Sequence, residues 1–241
     1  MKKISILFQK ELQSYFNTPI GYIFLALYLI LVNFLFFYGL GQNSFWDFKI
    51  ASMDQFFVWV PIVFIIFIPS ITMRVWSEEE KSGTLEILLT LPVSFWELIL
   101  SKFLASWAFL TLGICLTIFA PITISVFGNL EWGVVLVSYF GVILFGGAYV
   151  SLGVLISSLA KDQITSFLVS LMVFLGLFLL GYEPLLQFFK EPFVTILSFL
   201  SVSHHFESFR LGILDIREIF YFLSLMLTAL SLNFLVLVSK R

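Results

Sequence analysis

The stretch IGYIFLALYLILVNFLFFYGL, residues 20–40, contains no charged side chain. A helix needs about 20 apolar residues to cross a hydrocarbon core of roughly 30 Å, so this stretch predicts a membrane span. A β-barrel strand would be shorter and would alternate in polarity, whereas this run is apolar throughout and therefore predicts a helix. Five further apolar runs follow, near 56–73, 103–127, 133–158, 164–182 and 219–238. The expected fold is an all-α membrane protein with six transmembrane helices in a single domain, residues 1–241.

The composition of the whole chain supports this class. Of its 241 residues, 60% are hydrophobic and only 12% are charged, against roughly 25% charged in an average soluble domain. So few charges cannot cover the surface of a soluble enzyme, and so much apolar sequence does not stay disordered. The net charge of −2 also argues against nucleic acid as a partner, because a nucleic-acid binder carries a basic patch.

The first nineteen residues do not read as a signal peptide, because Gln9, Lys10, Glu11 and Gln13 interrupt the apolar sequence. Apolar residues recur there at helical spacing instead, which predicts an amphipathic helix lying in the membrane interface. The alternative, which the clear apolar face disfavours, is a basic and poorly ordered N-terminus. The apolar face consists of Ile4, Leu7, Phe8, Leu12, Tyr15 and Phe16.

The distribution of basic residues predicts the orientation. If both termini lie inside, nine of the 13 Lys and Arg residues fall in inner segments. Because inner loops carry the excess of positive charge, both termini are expected in the cytoplasm. The outer segments would then hold Lys49, Lys190, Arg210 and Arg217.

The predicted spans lack the groups that power or catalyse reactions in membranes. No Asp, Glu, Lys, Arg or His lies in the middle of a span, which argues against an ion-coupled carrier. The sequence contains neither an H-E-x-x-H pair nor a G-x-x-x-x-G-K-[ST] phosphate loop. If ATP powers this chain, another polypeptide must bind it.

The fourth span carries small residues at one-turn spacing, which let helix backbones approach closely. Ordinary packing within one subunit is the favoured interpretation, and a subunit interface or translocation seam is the alternative. Prolines in spans two and three, at positions 61, 69 and 121, predict kinks. The small residues are Gly146, Gly147, Ser151, Gly153, Ser157 and Ser158.

The inner stretch of residues 74–102, RVWSEEEKSGTLEILLTLPVSFWELILSK, is the longest and most charged inner connection. Ser77 and Glu80 fit a capping box at the start of a helix, and Ser94 and Glu97 fit a second one. Between them Gly83 interrupts the pattern, and a short apolar stripe follows and ends at a proline. The stripe consists of Leu85, Leu88 and Leu89, and the proline is Pro92.

This arrangement predicts a short amphipathic helix, presented to the cytoplasm beside acidic residues, as a docking element for another protein. The alternative is a solvated loop whose charges only fix the topology. Such a loop should be basic, whereas this stretch holds five glutamates against Arg74, Lys81 and Lys102. The charge balance therefore favours docking.

The outer stretch of residues 183–217 is too apolar for a free loop, and its run at 193–202 is too short to span. It predicts re-entrant or interfacial helices on the outer side, acting either as a gate or as a lid without a gating role. A zinc site at His204 and His205 is disfavoured, because zinc needs three or four protein ligands and adjacent helical residues face different sides.

Taken together, these features resemble a type-2 permease subunit of an ATP-binding-cassette (ABC) transporter. The branch resembled is that of gliding-motility and nitrous-oxide-reductase-maturation permeases. The resemblance covers the whole chain and is carried by the runs Ser77–Glu86 and Leu88–Ser94, by Lys102, by His205-Phe206-Glu207, Gly212 and Leu214–Arg217, and by Lys10-Glu11-Leu12 with Pro19 and Gly21.

The resemblance implies a multi-pass protein of the bacterial inner membrane, surrounded by membrane lipid. It implies a second permease chain, identical or related, and a cytoplasmic ATPase dimer that binds ATP and Mg, while this chain holds no cofactor and no catalytic residue. It assigns an outer gate to Phe193, Leu197, His205, Phe206, Glu207 and Gly212, an interfacial-helix contact to Lys10, Glu11 and Leu12, and ATPase coupling to Ser77, Glu78, Glu79, Glu80, Gly83, Thr84, Leu85, Glu86, Leu88, Leu89 and Pro92.

The expected function is that of an exporter permease in which a separate ATPase drives substrate movement. A lipid-like or hydrophobic cargo is a hypothesis, because the spans offer few polar groups to a hydrophilic solute. The alternative function is a non-transporting membrane scaffold that anchors a motility or maturation complex.

Overall fold

A computed structural model describes residues 2–40, 44–48, 50–90, 93–181, 183–188 and 192–240. Within these residues the secondary structure is entirely helical. The helices are α1 (Lys2–Phe16), α2 (Pro19–Tyr38), α3 (Phe45–Phe48), α4 (Asp54–Thr72), α5 (Ser77–Ser82), α6 (Thr84–Thr90), α7 (Phe95–Leu116), α8 (Phe119–Phe127), α9 (Trp132–Leu159), α10 (Gln163–Leu179), α11 (Glu183–Leu186), α12 (Phe193–Leu200), α13 (Val202–Arg210) and α14 (Ile216–Ser239).

Among the described residues, five helical segments are long and apolar enough to cross a membrane, and they support a multi-pass membrane protein. The fifth predicted span, near 164–182, corresponds to α10, which has 17 residues. At 1.5 Å per residue α10 is about 26 Å long, slightly less than the hydrocarbon core. The six-span layout therefore stays a prediction. The five long segments are Pro19–Tyr38, Asp54–Ser82, Phe95–Phe127, Trp132–Leu159 and Ile216–Ser239.

The third predicted span is divided into α7 and α8 by a tight turn at Thr117, whose N–H bonds to the Ile114 carbonyl at 3.0 Å. Pro121 lies one turn further on and has no N–H to donate to the Thr117 carbonyl, which accounts for the break. In contrast, α4 continues as one helix through Pro61 and Pro69.

Helix α9 is the centre of the bundle. It contacts α4, α7, α10, α13 and α14, and 78% of its spanning window is buried, against 28% for α2 and 33% for α14. The peripheral helices therefore expose apolar side chains, as expected of surfaces that face lipid.

The small residues of α9 serve packing within this chain. A Cβ atom at Gly153 would lie 2.2 Å from Oγ1 of Thr72 in α4, and one at Gly141 would lie 2.4 Å from Cβ of Phe209 in α13. Glycine is required at both positions because neighbouring helices approach the backbone so closely. These contacts agree with the within-subunit interpretation.

Candidate coupling site

Helix α5 begins at Ser77, but the predicted capping box between Ser77 and Glu80 is wrong. The Ser77 hydroxyl donates back to the Met73 carbonyl instead of accepting from the new helix. The cap comes from α9, where Oγ of Ser157 accepts hydrogen bonds from the N–H groups of Trp76 at 3.0 Å and Ser77 at 3.2 Å. The start of this candidate coupling segment is thus fixed to the central helix.

Two other predicted boundaries of this segment, at Gly83 and at Ser94, are confirmed. Gly83 ends α5 in the left-handed conformation, with φ at 70°, a conformation that glycine adopts without steric cost. At the start of α7, Oγ of Ser94 accepts from the Glu97 N–H at 3.2 Å. The Glu97 carboxylate in turn accepts from the Ser94 N–H at 3.0 Å, which completes the capping box.

The three consecutive acids of α5 each bind a different basic residue. Glu78 pairs with Arg74 at 3.2 Å, Glu79 with Lys102 of α7 at 2.8 Å, and Glu80 with Lys240 beyond α14 at 2.7 Å. Successive helical residues point about 100° apart, so the run reaches three parts of the chain. The acids therefore fasten α5 to its own bundle.

Lys102 is the most deeply buried charge of this region, with 4% of its side chain exposed. Its Nζ donates to Oε1 of Glu11 in α1 at 3.3 Å, to the Val75 carbonyl at 3.0 Å and to Glu79 at 2.8 Å. It also lies 5.0 Å from the ring centroid of Trp76. A lysine ammonium has three N–H donors, and all three are used here, as a buried charge requires.

Helix α1 packs along α7 through specific contacts. The Tyr15 hydroxyl lies 2.9 Å from Oγ of Ser106, and its ring stacks on Phe109 with centroids 4.7 Å apart. Burial raises the pKa of Tyr15 to about 12, so the hydroxyl keeps its proton at neutral pH. Leu12 packs against the core, whereas Lys10 is exposed.

Helix α6 places its apolar residues on two sides. Leu85 is buried and Leu88 packs against the core, so these two residues of the predicted stripe face the protein's own bundle. Ile87 is 65% exposed and has Glu86 beside it, also exposed. Thr84 is exposed as well. Pro92 and the side chain of Leu89 lie outside the described residues.

The predicted outer-gate residues divide into two groups. In α13, the buried Phe206 packs in the core, Glu207 pairs with Arg210, and His205 pairs with Glu218 and stacks on Tyr221 with centroids 3.6 Å apart. Gly212 follows α13 in the left-handed conformation, with φ at 77°. In α12, Phe193 is exposed and Leu197 is half-buried.

The sequence profile described as "ABC-2 family transporter protein" matches residues 7–239. The chain belongs to the ABC-2 transporter family. It is thus a permease of an ABC transporter, and the family works with a cytoplasmic ATP-binding partner. No curated protein matches the chain. The particular branch within the ABC-2 family stays a prediction.

The candidate coupling region of this ABC-2 permease includes residues whose contacts the sequence does not predict. The resemblance includes Lys102 without assigning it a role, although a charge beside an apolar span signals a specific partner. The partners of Ser157 and Lys240 are not predictable from the sequence, because these residues lie 80 and 160 positions from the α5 residues that they bind.

His205 of the ABC-2 permease contacts other protein groups through both ring nitrogens. Nε2 of His205 lies 2.9 Å from the Phe199 carbonyl, and Nδ1 contacts Glu218. Across the described ranges, no group of three or more His, Cys, Asp and Glu side chains is placed to hold a metal ion.

Proposed function

We propose that this chain is the membrane-embedded half of an exporter whose force comes from a separate ATPase dimer. Helices α5 and α6, with α1 beside them, receive the movement of the ATPases on the cytoplasmic side and pass it to α7, α9 and α14. The proposed setting is the bacterial inner membrane, with both termini in the cytoplasm and a second permease chain as partner. The proposed cargo is lipid-like or hydrophobic.

One observation carries this proposal: α5 and α6 are fastened firmly to the bundle and yet present an apolar side chain outward. Ion pairs from Glu79 and Glu80 fix α5 to α7 and to the end of α14. Ile87 on α6 is 65% exposed beside Glu86. An exposed apolar residue on a firmly held element, with polar residues around it, suits the apolar centre and polar rim of a protein interface.

Movement of this element can change the bundle only if the ATPases contact it differently in their two nucleotide states, since equal contact shifts no equilibrium. The hydrogen bonds of Ser157 to the start of α5 supply a direct route from the element to the central helix. A displacement of α5 would therefore be transmitted first to α9.

The test is Ile87→Asp in the chain co-purified with its ATP-binding subunit and reconstituted in nanodiscs. A buried charge at the interface should abolish the effect of the permease on ATP hydrolysis while membrane insertion stays normal. Ile213→Asp is the matched control, because Ile213 is 55% exposed and lies between α13 and α14 on the predicted outer side.

Three results are informative. Loss of the permease effect with Ile87→Asp and its retention with Ile213→Asp supports the proposal. Normal hydrolysis with both variants refutes the coupling assignment. An ATP-binding subunit that stays bound, but whose hydrolysis never responds to the wild-type permease, indicates a scaffold instead.

A further inference from the structure

We propose that Lys102 is a positioning residue that joins α1 and α5 into one rigid unit, so that the N-terminal helix moves with the coupling element. The proposal rests on the proposed function for its meaning, since it describes how force would be shared at that site. All the contacts that carry it lie within this chain.

The three hydrogen bonds of Lys102 reach three separate structural elements. Glu11 belongs to α1, Val75 to the turn that follows α4, and Glu79 to α5. Lys102 itself lies on α7. One buried nitrogen atom therefore holds four elements at their meeting point.

The charge matters as much as the contacts. Because Oε1 of Glu11 and Oε1 of Glu79 both contact one nitrogen atom, the two carboxylates lie near each other. When the Lys102 ammonium is present, both carboxylates attract it. When the ammonium is absent, the two carboxylates repel each other in partly desolvated surroundings. Removal of the Lys102 charge should therefore release α1 from α5 and also increase the distance between the two helices.

The ion pair between Lys240 and Glu80 provides a comparison within the same helix. It ties α5 to the end of α14 and is more exposed, at 27% and 31% of the two side chains. Loss of Lys240 removes one anchor of α5 but leaves the Glu11–Lys102–Glu79 cluster complete. Lys240→Met is thus the matched control for Lys102→Met.

The experiment measures the distance between α1 and α5 with spin labels at Gln9 and Lys81, both exposed, in a Cys115→Ser background. Cys115 is a free, exposed cysteine and would otherwise also react. Distances are recorded by pulsed electron resonance in nanodiscs. The permease is measured alone, and then with its ATP-binding subunit, without nucleotide and trapped with ATP and orthovanadate.

The permease alone tests the junction without any assumption about ATP. We expect one narrow distance distribution for the wild type, Lys102→Arg and Lys240→Met, and a longer, broader one for Lys102→Met. Glu11→Ala should also broaden the distribution, and it leaves Lys102 paired with Glu79, so it decides the matter if Lys102→Met does not fold. A narrow, unshifted distribution in Glu11→Ala would overturn the proposal.

The complex tests whether the junction positions α1 during coupling. In the wild type the α1–α5 distance should stay the same on trapping, because the two helices move together. In the Glu11→Ala variant, nucleotide trapping should change the α1–α5 distance, because α5 moves and α1 no longer moves with it. A contact that only adds stability would not make the distance depend on nucleotide.

Failure of the proposed function looks different. In that case ATP hydrolysis by the ATP-binding subunit does not respond to the wild-type permease, while the α1–α5 distances in the permease alone still test the junction. If instead hydrolysis responds to the permease and trapping leaves the distance in Glu11→Ala unchanged, the positioning role is refuted and the proposed function stands.

Discussion

The two ends of the bundle are held by charged residues in different ways. At the end predicted to face the cytoplasm, called the inner end below, Lys102 is 4% exposed and donates to two carboxylates and a carbonyl. At the opposite end, the predicted outer end, Arg210 is 19% exposed and pairs with Asp54 and Glu207, which are 43% and 49% exposed. The carboxylates that bind Lys102 are 25% and 23% exposed, so the inner cluster is less exposed to water than the outer one.

This difference predicts different mechanical behaviour. Exposed ion pairs contribute about 0–1 kcal/mol each, whereas breaking a buried pair by removing one partner costs about 3–5 kcal/mol. The outer helix α13 depends more on hydrogen bonds to backbone carbonyls, from Ser138 to Phe209 at 3.0 Å and from Ser203 to Phe178 at 2.9 Å. The inner junction should therefore behave as a rigid joint and the outer cap as an adjustable one.

The largest expected effect is that of Lys102→Met, which leaves two carboxylates without their shared cation. We expect a loss of folding stability on the order of 3–5 kcal/mol, with partial recovery in Lys102→Arg. Thermal unfolding in detergent, followed by tryptophan fluorescence, measures it. If Lys102→Met lowers the unfolding temperature no more than Lys240→Met does, the burial of Lys102 adds nothing to the stability of the protein.

Two glycines of α9 allow a comparison of its packing against α4 and against α13, with the next largest expected effect. Gly153→Ala would drive a Cβ atom into Thr72, and Gly141→Ala would drive one into Phe209. Overpacking costs about 1–3 kcal/mol, and the cost should be greater at Gly153 because α13 can shift more easily than α4. Thermal midpoints of both variants measure this, with Gly176→Ala as control, since nothing lies within 4 Å of a Cβ there. Equal costs would argue against an adjustable outer cap.

The capping box at the start of α7 should give a smaller effect. Ser94→Ala removes the hydroxyl that accepts from the Glu97 N–H and should cost about 1 kcal/mol. Ser77→Ala should cost less at the helix start, because Ser157 provides that cap. Thermal unfolding of the two single variants decides the order, and a larger loss with Ser77→Ala would contradict the cap provided by α9.

The outer ion pairs should give one of the smallest changes. Arg210→Met should reduce stability by less than about 1 kcal/mol, because its partners are solvated. The effect should shrink further as salt is raised from 0.1 M to 1 M, since the screening length falls from about 10 Å to 3 Å. A loss as large as that of Lys102→Met would remove the distinction between the two ends.

Acid should weaken the inner connection between α9 and α10 slightly. The N–H and the hydroxyl of Thr165 donate to Asp162 and lower the pKa of that carboxyl. The stabilisation is thus complete above the ordinary pKa of about 3.9 and is lost as pH falls through the lowered value. Asp162→Asn should remove this small acid dependence, measured as unfolding midpoints between pH 6 and pH 3. An unchanged acid dependence would assign it to other carboxylates.

The sequence predicts those features that depend on neighbouring residues. Apolar runs mark the helices, Gly83 marks the end of α5, and Ser94 with Glu97 marks the start of α7. The Ser77 prediction failed because the Glu80 N–H bonds to the Trp76 carbonyl, while Ser157 of a distant helix accepts from the Ser77 N–H. The predicted stripe of α6 was assigned to a partner, although Leu85 and Leu88 face the bundle and Ile87 faces outward. Local periodicity shows that a helix has an apolar face, but tertiary packing decides what covers it.

The most direct measurement is photo-crosslinking from position 87 in intact membranes that contain the chain and its ATP-binding subunit. A photoreactive residue that replaces Ile87 should crosslink to the ATP-binding subunit, with a yield that changes on nucleotide trapping, while one that replaces Ile213 should not. Crosslinks from position 87 only to lipid or to the permease itself would contradict a coupling role for α5 and α6.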